Sequence, residues 1–254
     1  MRARIQFWND APEHNRRRVE TALCALQNAG IRDVVPPIDC AFTEILPSYG
    51  LAVPAPVSLY RRLAARMASM ATERMHTEPA RLRLCFMAKR MTSEVGGAME
   101  ALCGSARHLL LCLERGSGGE ICRRLRYANG VSVVESPSDE QLARTDLYVV
   151  FDGWEEPRHL PAKPGSVVLF LGRGCFQVPV GCLVFDGAVL LPPARLRFAW
   201  PPGADNEALL AALVAAGGVL PGEIQLSALR TGRKTTPLLS NNMHCESQIG
   251  QNGT

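Results

Sequence analysis

The chain has 254 residues, 47% of them hydrophobic and 20% charged, a balance that excludes disorder and suffices for one large or two small domains with a real core. The formal net charge of +4 is too mild to point to nucleic acid, which asks for a clustered basic face. Nine cysteines without a CxxC pair and without a secretory signal favour free thiols in a reducing cytoplasm over a disulfide framework, and histidines 14, 76, 108, 159 and 244 lack the i,i+4 spacing of a metal site.

Residues 1–80 read as a small first unit. Arg4 to Trp8 is a strand. Residues 14–29 are a helix with Val19, Leu23 and Leu26 on one face. Gly30 stops it ahead of a strand from Ile31 to Val35. Prolines 36, 37, 47, 54 and 56 make the middle irregular. A helix over 57–76 carries Leu59, Leu63, Met67 and Met70 on one stripe, which core packing explains.

Residues 81–200 alternate strand and helix. Strands are predicted at 82–87, 109–113, 131–134, 147–151 and 167–171, with helices at 93–103, 119–128 and 138–143. The strands are continuous apolar runs, the mark of strands covered on both faces and hence of a parallel sheet with helices on each side. Leu183 to Phe185 and Ala188 to Leu191, joined at Asp186-Gly187, predict a β-hairpin. Residues 201–231 form a C-terminal segment expected to pack on this larger domain. In it Asp205 caps a helix, with Leu209, Leu210, Leu213 and Val214 inward, and Gly217-Gly218 ends it. Residues 232–254 are polar and predict a disordered tail. The longest helical apolar segment, Ala208 to Leu220, is too short to cross a bilayer, so no membrane contact is expected.

The most telling stretch is Leu109-Leu-Leu-Cys-Leu-Glu114-Arg-Gly116-Ser117-Gly118-Gly119-Glu-Ile-Cys122. An apolar strand enters a glycine turn, a helix opens, and the next strand ends in Glu135. Glycines let the backbone approach a phosphate or ribose, and an acid one strand later takes the ribose hydroxyls. The Gly-x-Gly-x-x-Gly fingerprint is filled at two of three slots, whether started at Glu114 or at Gly116. Glu135 as ribose acid favours NAD over NADP. The same residues also fit the acid and spaced glycines of a methyltransferase, with Glu135 on the ribose of S-adenosylmethionine and Glu114 welcome beside a cationic ligand. In that family the motif strand opens the sheet, whereas here residues 82–103 precede it. A plain strand-to-helix turn, with glycine wherever φ must be positive, is the third reading.

Further along, Ala143-Arg-Thr-Asp146-Leu-Tyr-Val-Val-Phe151 is followed by Leu160-Pro-Ala-Lys163-Pro-Gly165-Ser-Val-Val-Leu-Phe-Leu-Gly172. This resembles the cofactor domains of shikimate dehydrogenases, glutamyl-tRNA reductases and methylenetetrahydrofolate dehydrogenases over residues 92–175. The resemblance implies a Rossmann-like NAD(P)-binding domain preceded by a separate α/β domain. The chain departs from it in two places. Asp152-Gly153-Trp154 stands where those enzymes have a small polar turn along the cofactor, and Lys89 has no evident aspartate to complete a substrate pair.

The sequence therefore predicts a doubly wound, mainly parallel α/β sheet of Rossmann-like form with a smaller N-terminal α/β domain. Its expected partner is a small nucleotide cofactor, NAD first and S-adenosylmethionine second, held by Glu114, Gly116, Ser117, Gly118, Gly119 and Glu135. Nucleic acid is not expected, no metal ligands are assigned, and a homodimer stays open. Oxidoreductase activity is open too, for no catalytic residue stands out. A non-enzymatic scaffold is the remaining alternative.

Overall fold

The computed structural model describes residues 12–38, 40–73, 75, 78, 81–106, 108–153, 158–172, 176–201, 203 and 205–231. The expected strand at Arg4–Trp8 and the expected tail at 232–254 lie outside the described residues. In chain order the helices are α1 (Pro12–Asn28), α2 (Val57–Arg62), α3 (Ala64–Glu73), α4 (Ser93–Leu102), α5 (Gly119–Asn129), α6 (Asp139–Ala143) and α7 (Asn206–Ala215). The main strands are β1 (Arg83–Ala88), β2 (His108–Leu113), β3 (Ser132–Glu135), β4 (Leu147–Val150), β6 (Val167–Phe170) and β8 (Leu183–Phe185). Shorter or separate strands are β5 (Arg158–His159), β7 (Phe176–Gln177), β9 (Gly187–Leu191) and β10 (Gln225–Arg230).

The described residues divide into two compact units, those up to 59 with those of 190–225, and those of 60–189 with 226–231. The border expected at residue 80 thus lies near residue 60, because α3 packs on α4 and β4. Most of the 201–231 segment, expected against the larger domain, belongs with the N-terminal residues instead.

The larger unit holds a six-stranded sheet in the order β3-β2-β1-β4-β6-β8. Every neighbouring pair in it is parallel. The chain winds outward from β1 to one edge, then returns to build the other half from β4, so the sheet is doubly wound, a Rossmann-type order. Residues that alternate along each strand face opposite sides. Cys85, Met87, Leu110, Tyr148, Val150 and Val168 meet Leu142 and Leu160 in one core layer. Leu84, Phe86, Leu109, Leu111, Val149 and Leu169 are buried as well, and burial on both faces is why the runs read as continuous. Thr92 starts α4 by accepting the Val95 N–H, and Ser138 and Gln141 close a capping box on α6.

The expected hairpin does not form. β8 adds to the sheet edge in parallel with β6, while β9 pairs with β10 and the Asp186 N–H donates to the Arg230 carbonyl at 3.1 Å. Gly187 lacks the positive φ that a two-residue hairpin turn needs. The helix predicted over 57–76 breaks at Leu63, whose N–H turns back to the Tyr60 carbonyl at 3.1 Å. A short parallel pair, β5 with β7, was not anticipated.

In the smaller unit, Val19 and Leu23 of α1 pack against Leu46 and Leu51. The strand expected at Ile31–Val35 is a single bridge, Asp33 with Ala52. Asp205 caps α7 through the Glu207 and Ala208 N–H groups at 2.9 and 3.2 Å.

Candidate functional site

In a doubly wound sheet the ligand crevice opens at the carboxyl ends of the strands, where the order reverses. Here that point lies between β1 and β4. Backbone pairing continues past both strand ends. The Glu114 and Arg115 N–H groups donate to the Ala88 and Lys89 carbonyls at 3.1 and 2.9 Å. On the other side the Phe151 N–H donates to the Met87 carbonyl at 2.8 Å. Glu114, Lys89 and Asp152 therefore stand in a row along this edge.

Asp152 ties the two sides of the reversal together. One carboxylate oxygen accepts the Lys89 N–H at 3.1 Å and the other accepts the Arg61 guanidinium. The same Arg61 nitrogen, Nη2, donates to the Phe151 carbonyl at 2.8 Å. Arg61 Nε is buried and has no hydrogen-bond partner among the described residues. Gly172, after β6, comes so close that a Cβ there would run into the Phe151 carbonyl and the Asp152 backbone. Only glycine allows the two backbones to come this close.

The glycine turn follows β2, one strand away from the reversal. Gly116 takes a φ of +85° to make the turn. At Gly118 a Cβ would meet a terminal methyl of the buried Leu111, which would have to turn aside. The Gly118 N–H donates to Glu135 Oε1 at 2.6 Å, and the Gly119 N–H donates to Ser117 Oγ at 3.0 Å. The structure thus brings Ser117, Gly118, Gly119 and Glu135 together at the start of α5. A carboxylate there satisfies a free N–H and faces the positive end of the helix dipole. Glu135, expected on a ribose, is engaged by its own chain. Ser136, the next residue, takes a φ of +55°, the only non-glycine described residue with positive φ. Glu114 is exposed and sits apart from this group, beside the end of β1. The Cys122 thiol is pushed above its ordinary value by burial first and by Glu135 second, which keeps it protonated and unreactive.

The two motifs that carried the resemblance meet at the opposite edge of the sheet. Asp146 accepts the Lys163 ammonium at 2.6 Å and the Arg83 N–H at 2.9 Å. Ser166 Oγ donates to the Thr145 carbonyl at 2.8 Å. These bonds join the amino ends of β1, β4 and β6, so within this chain the motifs act as a clamp remote from the crevice. Arg61 and Asp152 were missed. Asp152 was visible just past an apolar strand, but Arg61 lies in an Arg-Arg pair that reads as a solvated helix face. Among the described residues no cluster of His, Cys, Asp or Glu could hold a metal ion, and no helix is long and apolar enough to cross a membrane.

No family model and no curated protein matches the chain. Solved structures with partial similarity include the iminosuccinate reductase of Paracoccus denitrificans in complex with NAD+, at 13% identity and a TM-score of 0.36, over 66% of this chain and 50% of that one. A probable ornithine cyclodeaminase from Bordetella pertussis Tohama I has 15% identity and a TM-score of 0.35, over 60% of this chain and 42% of that one. The Δ1-pyrroline-2-carboxylate reductase of Thermococcus litoralis, in complex with NADH and L-proline, has 10% identity and a TM-score of 0.34, over 46% and 36%. The chain spans half or less of the length of each. The strand order, independent of these values, defines the fold.

Proposed function

We propose that the protein binds a nicotinamide dinucleotide at the carboxyl edge of its sheet, across the reversal between β1 and β4. The observation that carries the reading is the strand order, β3-β2-β1-β4-β6-β8, all parallel, because ligands of such sheets lie at the reversal. On this reading the phosphates approach the turn from Lys89 to Thr92 and the start of α4, where backbone N–H groups and the helix dipole favour an anion. Glu114, at the end of β2, takes the ribose hydroxyls and disfavours a 2′-phosphate, hence NAD over NADP. Gly116, Ser117, Gly118, Gly119 and Glu135 hold the β2–α5 turn that presents Glu114. The turn after β1 offers Lys89 and Arg90 in place of glycines, so cationic side chains take part of the role that close backbone has elsewhere. When bound, the nicotinamide ring would supply hydride transfer.

The methyl-donor reading needs its glycine turn after the strand that opens the sheet. The turn follows β2, inside the sheet order β3-β2-β1-β4-β6-β8, and that placement does not support the reading. A second reading, a sheet that serves as a scaffold without a cofactor, draws on the same glycine-free first turn. Calorimetric titration separates the two. NAD+ should bind more tightly than NADP+, and Glu114→Ala should weaken NAD+ about tenfold, the loss of one hydrogen bond to a charged group. Unchanged affinity in Glu114→Ala contradicts the ribose assignment, and no heat with either dinucleotide favours the scaffold.

A further inference from the structure

We propose that Arg61 is the anchor for a carboxylate, so that the molecule held beside the dinucleotide is a small carboxylic acid anion. The inference rests on the dinucleotide reading above. Arg61 reaches the crevice from the β4 side, through Phe151 and Asp152. The phosphates of a dinucleotide would be met on the other side of the reversal, at the turn after β1. An anion at Arg61 therefore belongs to a second molecule.

The guanidinium is suited to this use in three respects. It is only part-buried, with 29% of its side chain exposed, so a small ligand can approach it. Its Nε is a buried donor without an acceptor among the described residues, and such a donor is rare enough to need an explanation. A carboxylate matches the two parallel N–H groups of an arginine fork, so a turn of the guanidinium toward a ligand would satisfy Nε and one Nη together. Asp152 then acts as the resting partner. When Arg61 turns away, the Asp152 carboxylate keeps the Lys89 N–H, so the displaced acid is not left without a donor. The backbone at 151–152 lies against Gly172 and the Asp152 carboxylate is held by the Lys89 N–H, so the ligand competes with a carboxylate that has its own anchor.

The test uses the full chain labelled with 15N-arginine. The Arg61 Nε–H resonance is identified by its disappearance in Arg61→Lys. Acetate, pyruvate, succinate and inorganic phosphate are titrated in turn into protein containing NAD+, and NAD+ binding is read separately by calorimetry. The proposal predicts that NAD+ alone leaves the Arg61 signal in place and that at least one carboxylate shifts it saturably while phosphate does not. Arg61→Lys, in which the carboxylate is titrated by calorimetry because the Arg61 signal is gone, should bind it about tenfold more weakly, since the variant keeps the charge and loses the fork. Asp152→Asn, which removes the competing acid, should tighten it, and this variant decides the matter if Arg61→Lys fails to fold. An Arg61 signal that no carboxylate moves overturns the proposal, as does a signal that phosphate or NAD+ moves equally, which would make it a phosphate contact. A silent calorimetric titration with NAD+ overturns the dinucleotide reading and is told apart by its separate readout.

Discussion

At Glu223 the Arg195 guanidinium donates to both carboxylate oxygens, at 2.9 and 3.0 Å. The Arg195 bond and the Leu220 N–H hold the acid down to about 2. A depressed folded-state value means that the contribution is complete above the unfolded value of about 4.3 and is lost as pH falls through the folded one. The stability gap between the native chain and Glu223→Gln, read by urea unfolding, should therefore close as the pH drops from about 4.3 to about 2. A gap that stays constant over that window contradicts the pairing. Glu135 is a second carboxylate engaged by its own chain. Glu135→Ala should cost about 1 kcal/mol, the loss of a helix cap, and weaken NAD+ much less than Glu114→Ala does. A loss of NAD+ affinity as large as that of Glu114→Ala would restore Glu135 to the ribose. At the other edge, Asp146→Asn gives up its ion pair with the half-exposed Lys163 and should cost about 0.5–1 kcal/mol in urea unfolding. A neutral outcome would mean that the clamp does not hold the strands.

At the scale of elements, the central strands were legible because both faces are covered and every residue from Leu84 to Ala88 is buried. Helix starts were legible from chemistry close in sequence, such as Ser138 with Gln141 and Asp205 with Ala208. What depended on distant partners was not. The Asp186-Gly187 pair looks like a hairpin turn, yet Gly187 enters β9 and its open side faces the Arg230 guanidinium. The glycine turn was legible as a turn, but only the strand order reveals that it follows β2 and not the strand at the reversal. Arg61 and Asp152 stand 91 residues apart, and nothing local marks either as half of a pair. Gly118 offers the sharpest test at this scale. Gly118→Ala forces a methyl into Leu111 and should cost about 1–3 kcal/mol by thermal or urea unfolding, as overpacking does. A neutral substitution would mean that α5 does not sit this close to β2.

At the scale of the molecule, the winding of the sheet ties the residue-level claims together. It sets Glu114, Lys89 and Asp152 side by side, brings Arg61 to the reversal, and sends the Asp146–Lys163 clamp to the far edge. It also leaves β3 as an outer strand, where Arg126 donates to the Val133 carbonyl at 2.7 Å and occupies an acceptor that a foreign strand could otherwise pair with. The central claim is that a dinucleotide lies across the β1–β4 reversal, and hydrogen–deuterium exchange with and without NAD+ tests it most directly. The account predicts slowed exchange in the segments Lys89–Val95 and Leu113–Gly116, with little change at the amino ends of the same strands. Binding heat without protection in those segments, or protection confined to the Asp146–Lys163 edge, would contradict it.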